Sequence, residues 1–206
     1  MATAAAKPST RSRILEAARE LFWLKGYPET SVAEILEKAE ANSGSFYYYF
    51  KSKEELLLAV LDYYVDLLYP EVMDQAFATT PDPIERVFAV LGGYRYALEM
   101  TGCTFGCPLG RVALEISDIP QAHEKVAINF QGWVNAVKKC LMDAGNRLPA
   151  DVDRHQLAQF VLTVMEGAVM QARVHRSLEP FDNSVAQLRA YFRYLMSAPR
   201  VVRVKE

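Results

Sequence analysis

Amphipathic helical periodicity runs through almost the whole of this 206-residue chain. In the first segment Ile14, Ala18 and Leu21 lie on one apolar stripe, which Gly26 ends. Alternating apolar and polar runs are nearly absent, and no Asn-Gly or Asp-Gly hairpin turn occurs. The pattern predicts an all-α fold of about nine helices, with a three-helix start and a larger bundle behind it.

Helix-start signals divide the first seventy residues. The hydroxyl of Ser31 and the carboxylate three residues later form a capping box, which predicts a helix of about two turns. The same spacing recurs at Ser52 and predicts a long helix that Pro70 closes. Between them, Asn42 is the predicted N-cap of a third short helix.

Further start and stop signals predict the later helices. Each begins after an aspartate that caps a helix N-terminus or with a proline in the first turn. A break is expected at Glu179-Pro180. The expected helices are residues 83–100, 108–117, 120–144, 154–177 and 184–197.

Composition excludes several classes of protein. Apolar residues make up 51% of the chain and charged residues 23%, which is enough for a packed core and excludes general disorder. Three cysteines do not make a disulfide framework. The apolar stretch 56–69 is interrupted by Asp62 and Asp66, so no membrane span is expected. We expect a cytoplasmic protein with reduced thiols, no membrane partner, no metal and no cofactor.

Two short helices joined at residues 40–42, behind an amphipathic helix, are typical of a helix-turn-helix. Such a unit places its second helix in the major groove of DNA. Residues 30–35 and 44–57 resemble the DNA-binding signature of the TetR/AcrR family of bacterial repressors. Residues 102–117 resemble the corresponding stretch of LmrA/YxaF-, AcuR- and NemR-type members. The resemblance implies a flexible arm (1–9), a helix-turn-helix domain (10–54) and an effector-binding and dimerisation domain (55–206).

The resemblance also implies the residues that contact DNA. Ser31 opens the first helix of the motif, where free N–H groups suit a phosphate oxygen. The turn position that is usually glycine in the family is Glu40, which predicts a reshaped turn. The recognition helix carries no Arg or Lys, so bidentate reading of guanine by it is excluded. The expected contacts are Ser31, Asn42, Ser43, Gly44, Ser45, Tyr47, Tyr48, Tyr49 and Lys53, whereas Phe46 and Phe50 are expected in the core.

An effector site is implied in the second domain. A mostly apolar cavity with a few polar groups is the usual form of a ligand site, although most of these side chains would be core in any bundle. The candidates are Tyr64, Phe88, Leu91, Tyr94, Cys107, Leu109, Phe130, Trp133 and Met165.

Cys107 precedes a predicted helix, where the dipole favours the thiolate. It is a candidate sensor of electrophiles, with Cys103 as a resolving partner. The alternative is a small buried apolar residue. A zinc site that adds His123 is disfavoured because a fourth ligand is missing.

The last two helices are the family's dimer interface, and two copies would read a palindromic DNA site. The expected interface residues are Phe160, Thr163, Gly167, Met170, Leu188, Tyr191, Phe192 and Leu195. The sequence therefore predicts a ligand-responsive, homodimeric DNA-binding repressor and not an enzyme. The alternatives are a small cysteine-dependent enzyme and a helical protein-interaction module. The distribution of charge is consistent with a DNA-binding repressor, because residues 1–53 carry a net charge of +2 and the remainder a net charge of −4.

Overall fold

The computed structural model describes residues 8–116 and 118–197, which form ten α-helices and no strand. The expected all-α fold is therefore confirmed, with ten helices where about nine were predicted. A π-helix covers Leu68–Met73 and a 3₁₀ turn covers Gly145–Arg147. The α-helices are α1 (Thr10–Leu24), α2 (Val32–Lys38), α3 (Ser43–Tyr49), α4 (Lys53–Leu67), α5 (Asp74–Ala78), α6 (Pro83–Met100), α7 (Pro108–Glu115), α8 (Pro120–Asp143), α9 (Arg154–His175) and α10 (Glu179–Ser197).

Two compact units make up the chain, and the first consists of the described residues up to Asp66 together with those of 108–129. Within it, α1 packs against α2, α3 and α7. The apolar stripe of α1 is buried as predicted, and Phe46 and Phe50 complete the core beside it. Segment 108–129 lies outside the stretch 10–54 that the sequence indicates for the helix-turn-helix domain. Residues 1–7 of the predicted arm lie outside the described residues, and Ser9 caps α1.

Pro70 lies inside the π-helix, so the expectation that it closes the helix opened at Ser52 is wrong. α4 passes directly into the π-helix, which α5 follows. Proline has no N–H and cannot make the i→i−4 hydrogen bond of an α-helix. A π-turn changes the pairing to i→i+5, which allows the backbone to remain helical past this residue.

The second unit consists of residues 67–107 and 130–197. Within it, α6 packs against α5, α9 and α10, and α9 packs against α10. The predicted caps of two of these helices are confirmed. Asp82 Oδ1 accepts a hydrogen bond from the N–H of Ile84 at 2.8 Å, and Asp153 Oδ1 accepts one from the N–H of His155 at 2.7 Å.

The end of α9 and the start of α10 differ from the prediction. α10 begins at Glu179 rather than near Ser184, because Pro180 fits the first turn of a helix, where its missing N–H costs nothing. The reversal is made before it, by Arg176 with a φ of 51°. Of the predicted helix 108–117, the structure shows Pro108–Glu115, and Ser117 lies outside the described residues.

Candidate nucleic-acid interface and ligand site

The first helix of the helix-turn-helix begins with the predicted capping box. Ser31 Oγ accepts a hydrogen bond from the N–H of Glu34 at 3.2 Å, and the N–H of Ser31 donates to Glu34 Oε2 at 2.9 Å. Lys25 forms an ion pair with the same carboxylate. The hydrogen bond from Lys25, followed by those from Ser31, lowers the pKa of Glu34 to about 2. Ser31 is exposed at this N-terminus, where a phosphate would meet free N–H groups.

The turn of the motif keeps a left-handed residue, so the expectation that Glu40 reshapes it is wrong. Glu40 has a φ of 49°. The N–H of Ala41 donates to the carbonyl of Leu36 at 3.0 Å, and that of Glu40 donates to Glu37 at 3.2 Å, which is the Schellman arrangement of a helix end. This turn is supported by Arg13, which donates to the carbonyls of Ala39 and Glu40 and was not predicted from the sequence pattern.

The recognition helix α3 is short and capped. Asn42 Oδ1 accepts a hydrogen bond from the N–H of Ser45 at 2.8 Å, as predicted. Two ring side chains of the helix point to solvent, since Tyr47 is 60% exposed and Tyr48 is 81% exposed. Tyr49 is half-buried, with its ring centroid 4.8 Å from that of Tyr48.

The small residues at the start of α3 leave its N-terminal face open. Ser43 and Gly44 are exposed, and Ser45 is half-buried. A helix entering the major groove presents such N-terminal residues to the base edges. The arrangement therefore offers one largely exposed polar and aromatic face, from which Tyr47 also packs edge-on against the buried ring of Phe46 at 5.2 Å.

The ammonium group of Lys53, another predicted DNA contact, is engaged within the first unit. Its Nζ donates to the backbone carbonyls of Tyr27 and Thr30, each at 2.9 Å, and to that of Pro28 at 3.4 Å. The same Nζ lies 4.5 Å from the centroid of the Tyr27 ring. Lys53 is half-buried.

Buried polar groups converge within the second unit, and three of the predicted effector residues are among them. The Cys107 thiol donates a hydrogen bond to the carboxylate of Glu166 on α9. Burial raises the pKa of Glu166, and the thiol opposes that shift. Tyr94 is half-buried as a whole, but burial of its phenol group raises the pKa well above its usual value, and the charges of Cys107 and Glu166 add to that shift. The neighbouring Trp133 indole opposes it.

Two atoms of this cluster lack a good hydrogen bond among the described residues. Within that part of the chain Glu166 Oε1 has no partner at all, whereas the indole nitrogen of Trp133, whose side chain is only 2% exposed, lies beside the phenol of Tyr94 without the alignment of a good hydrogen bond. A buried polar atom without a partner costs free energy, and a bound molecule could complete it.

The other predicted effector residues are distributed over the two units. Leu91 and Met165 are buried in the core of the second unit, and Phe130 is half-buried there. Phe88 packs edge-on against Phe192 of α10, with centroids 5.4 Å apart. Tyr64 and Leu109 belong to the first unit and are half-buried.

The predicted interface residues of α9 and α10 divide by exposure. Leu188, Phe192 and Leu195 are buried within the protomer. The others are at least partly accessible, and those at the surface include Phe160 (46% exposed) and Met170 (57% exposed). A surface groove of about 380 Å³ lies here, lined by Phe160, Val164, Asn183, Ser184, Gln187, Leu188 and Tyr191.

Neither a metal centre nor a membrane span is found in the described part of the chain. No three His, Cys, Asp or Glu side chains are grouped within residues 8–116 and 118–197 so as to hold a metal ion. In the same ranges, no helix combines the length and the apolar character needed to cross a bilayer.

Comparison with known proteins agrees with the helix-turn-helix geometry. The HTH-type transcriptional repressor DhaR of Mycobacterium sp. (strain GP1) is 26% identical over 180 residues, which cover 86% of this chain and 89% of that protein. The HTH-type transcriptional repressor NemR of Escherichia coli (strain K12) is 25% identical over 190 residues, covering 87% and 92%. A TetR transcriptional regulator from Chloroflexus aurantiacus J-10-FL has a similar structure, with a TM-score of 0.78, 27% identity, and coverage of 89% of this chain and 94% of that chain.

Family models match both halves of the chain. The model described as bacterial regulatory proteins, tetR family, matches residues 14–60. The model described as transcriptional regulator LmrA/YxaF-like, C-terminal domain, matches residues 83–187. The chain therefore belongs to the tetR family of bacterial helix-turn-helix transcriptional regulators, with an LmrA/YxaF-like C-terminal domain.

Proposed function

We propose that this regulator binds a palindromic operator in double-stranded DNA as a homodimer, represses transcription there, and is released by a small-molecule effector or a reactive electrophile. The observation that carries the DNA-binding part is the exposure of Tyr47 and Tyr48 on a short capped helix that follows a helix-turn-helix turn. Large aromatic side chains that leave most of their surface exposed at such a position suit contact with a partner.

The DNA-reading surface is formed by hydroxyl groups and small residues. Because α3 carries no Arg or Lys, hydrogen bonds from hydroxyls and van der Waals contacts with bases provide the specificity. Ser31 and the phenol groups provide backbone contacts that set the register. The proposed contact residues are Ser31, Asn42, Ser43, Gly44, Ser45, Tyr47, Tyr48 and Tyr49.

Selection of bound duplexes from a random DNA pool tests this proposal. Wild-type protein is expected to enrich a palindrome whose half-sites lie about one helical turn (~34 Å) or more apart. Tyr48→Ala is expected to weaken binding of the enriched duplex. Tyr96→Ala, which removes a similarly exposed tyrosine from α6, is the matched control and is expected to bind as wild type does. Failure of the wild type to enrich any palindrome would contradict the proposal.

The cluster of Tyr94, Cys107, Trp133 and Glu166 supports an effector site in the second unit. Its unpartnered carboxyl oxygen, Glu166 Oε1, suits a ligand that offers a hydrogen-bond donor. The thiol of Cys107 is the group in this cluster that an electrophile would alkylate.

Alkylation tests the electrophile proposal. Wild-type protein treated with N-ethylmaleimide, with modification of Cys107 followed by mass spectrometry, is expected to lose operator binding in gel shifts. Cys107→Ser is expected to keep operator binding after the same treatment, and Cys140→Ser, which removes a buried thiol elsewhere on α8, is expected to respond as wild type does. Unchanged operator affinity after complete modification of Cys107 would contradict this part of the proposal.

Exposed apolar side chains on α9 and α10 support the dimer. Phe160 and Tyr191 line the groove with their rings edge-on at 5.9 Å, and Met170 is a further exposed apolar side chain of α9. Contiguous apolar patches on a protein surface mark interaction sites. Phe160→Glu is expected to shift the molar mass measured by light scattering from dimer to monomer. Loss of the fold, checked by circular dichroism, is not expected because Phe160 lies outside the core.

A further inference from the structure

The ammonium group of Lys53 has no donor left for a phosphate. An ammonium carries three N–H donors, and the Nζ of Lys53 has three backbone carbonyl acceptors, on Tyr27, Pro28 and Thr30. All three acceptors lie in the α1–α2 loop, which is defined here as residues 25–31. A phosphate oxygen could reach this Nζ only by replacing one of them. Lys53 therefore acts on the loop that leads to Ser31.

The end of α1 and the first residue of this loop are held from a second helix of the first unit. Arg111 on α7 donates to the carbonyls of Trp23 at 3.2 Å and Leu24 at 3.0 Å, and also to that of Lys25. These carbonyls lie at the C-terminal end of α1, where hydrogen-bond donors are needed and the negative end of the helix dipole favours a positive charge. A guanidinium satisfies both needs.

Glu115 completes the attachment of α7. Its Oε2 accepts a hydrogen bond from the N–H of Tyr27 at 2.8 Å, and its Oε1 accepts one from Arg111 Nε at 2.7 Å. Both side chains are largely buried. Tyr27 is thus fixed through its N–H by α7 and through its carbonyl by Lys53.

Gly26 makes this close approach possible. Its φ is 98°, a conformation that favours glycine, and a Cβ there would lie 2.8 Å from Arg111 Nη2 and against the carboxylate of Glu115. The loop is therefore built around the two side chains of α7. Its far end is the N-cap Ser31, which is a proposed backbone contact with DNA.

We propose that Lys53, Arg111 and Glu115 are positioning residues for DNA binding, which act through the backbone of the α1–α2 loop, and that Lys53 is not a phosphate contact. This inference rests on the proposed DNA binding. Lys51 provides the comparison, because its side chain is exposed and no acceptor or carboxylate among the described residues engages its ammonium. Lys51 is free to meet the DNA backbone.

Salt dependence separates the two roles. Log K falls as log [salt] rises, and each phosphate contact made by a cation adds about 0.9 to the steepness of this fall, because binding releases a counterion. Throughout, the slope means this steepness, and removal of a phosphate contact lowers it. Removal of a positioning residue weakens binding at every salt concentration and leaves the slope unchanged. Removal of a residue that only stabilises the fold changes neither the affinity for DNA nor the slope, as long as the protein remains folded.

The experiment measures fluorescence anisotropy of the duplex that wild-type protein enriches from a random pool, over a series of KCl concentrations. Lys53→Met is expected to bind about tenfold more weakly, since a hydrogen-bonded charge is lost from the loop, with the wild-type slope. Lys51→Met is expected to lower the slope by about 0.9. Arg111→Met removes a cation from α7 and is expected to behave as Lys53→Met does, which provides a second variant if the first fails to fold.

Hydrogen exchange gives a readout that does not need DNA. The amides of residues 26–31 are expected to exchange faster in Lys53→Met and Arg111→Met than in the wild type, and those of Lys51→Met are expected to be unchanged. A slope that falls by about 0.9 in Lys53→Met, or wild-type affinity and loop exchange in that variant, would overturn the inference. A wild-type protein that enriches no duplex would overturn the DNA-binding proposal itself.

Discussion

The guanidinium of Arg13 donates a hydrogen bond of 3.2 Å to the carbonyl oxygen of Glu40, the residue that has a φ of 49° in the turn of the helix-turn-helix. Its Nε also donates to the carbonyl of Ala39 at 3.0 Å. The cation lies at the C-terminal end of α2, where the helix dipole favours positive charge. Arg13 thereby supports a left-handed conformation that a glutamate side chain resists.

Glu40→Gly is expected to raise the free energy of unfolding by about 1 kcal/mol, because glycine adopts a positive φ without a steric penalty. Glu37→Gly is the control, since it places glycine at an exposed position within α2, and it is expected to lower the free energy of unfolding by about 1 kcal/mol. Urea unfolding followed by circular dichroism measures both. Equal losses in the two variants would show that the turn carries no such penalty.

Asn42→Ala removes the acceptor for the N–H of Ser45 and is expected to lower stability by about 1 kcal/mol. Operator binding is expected to weaken as well, because α3 has only seven residues and depends on its first turn. Asn42→Asp keeps an acceptor and is expected to retain the stability. Thermal unfolding of the wild type, Asn42→Ala and Asn42→Asp measures the contribution of the cap to stability. Equal midpoints for the wild type and Asn42→Ala would contradict the role of the cap.

Glu166→Gln is expected to stabilise the protein at pH 8. Burial raises the pKa of Glu166 in the folded state above the value of 4.5 in the unfolded chain, so folding favours the protonated form. Stability from this group therefore falls as pH rises above about 4.5. The amide substitution removes that loss, and we expect a gain of about 1–3 kcal/mol at pH 8 that shrinks towards pH 4.5.

Glu124→Gln is the control for this measurement, since Glu124 is an exposed residue on α8. It is expected to leave the unfolding midpoint unchanged at both pH values. If Glu166→Gln unfolds at the wild-type temperature at pH 8, the prediction that the buried carboxyl group lowers stability at this pH is wrong.

Glu34 has the opposite dependence on pH. The hydrogen bond from Lys25 and those from Ser31 lower its pKa to about 2 in the folded state, against 4.5 for the free side chain. The stabilisation is therefore complete above pH 4.5 and is lost as pH falls towards 2. The difference in urea midpoint between wild type and Glu34→Gln is expected to be greatest near pH 7 and to shrink below pH 4.5. A constant difference across this range would contradict the assignment.

Local chemistry made much of the fold predictable. Asn42, Asp82 and Asp153 cap helices at the positions where their side chains reach the second or third N–H of the next turn, and such bonds depend on a few adjacent residues. The period of the apolar residues placed Phe46 and Phe50 in the core. Pro70 was not predicted correctly because a proline can end an α-helix or lie in a π-turn, and the sequence pattern does not distinguish the two.

The polar contacts could not be predicted for a related reason. Arg13 in a basic N-terminal segment suggests a phosphate contact, and the carbonyls that it meets are 26 or 27 residues away in sequence. Glu166 has the pattern of a solvent-facing helical residue, and only the packing of α9 reveals the buried oxygen. Long-range partners of this kind leave no mark in a single sequence.

Gly26 has a consequence for how this protein can be recombined with others. A Cβ at the glycine would meet the side-chain ends of Arg111 and Glu115, so a larger residue there requires both side chains to move. A chimaera that joins residues 1–54 to a foreign sensor domain would leave Tyr27 without the carboxylate that holds its N–H, and the end of α1 without its guanidinium. The smallest DNA-binding unit that could be transferred to another protein therefore includes α7. Because α7 is separated in sequence from α1–α4, the gene segments that must be exchanged are discontinuous.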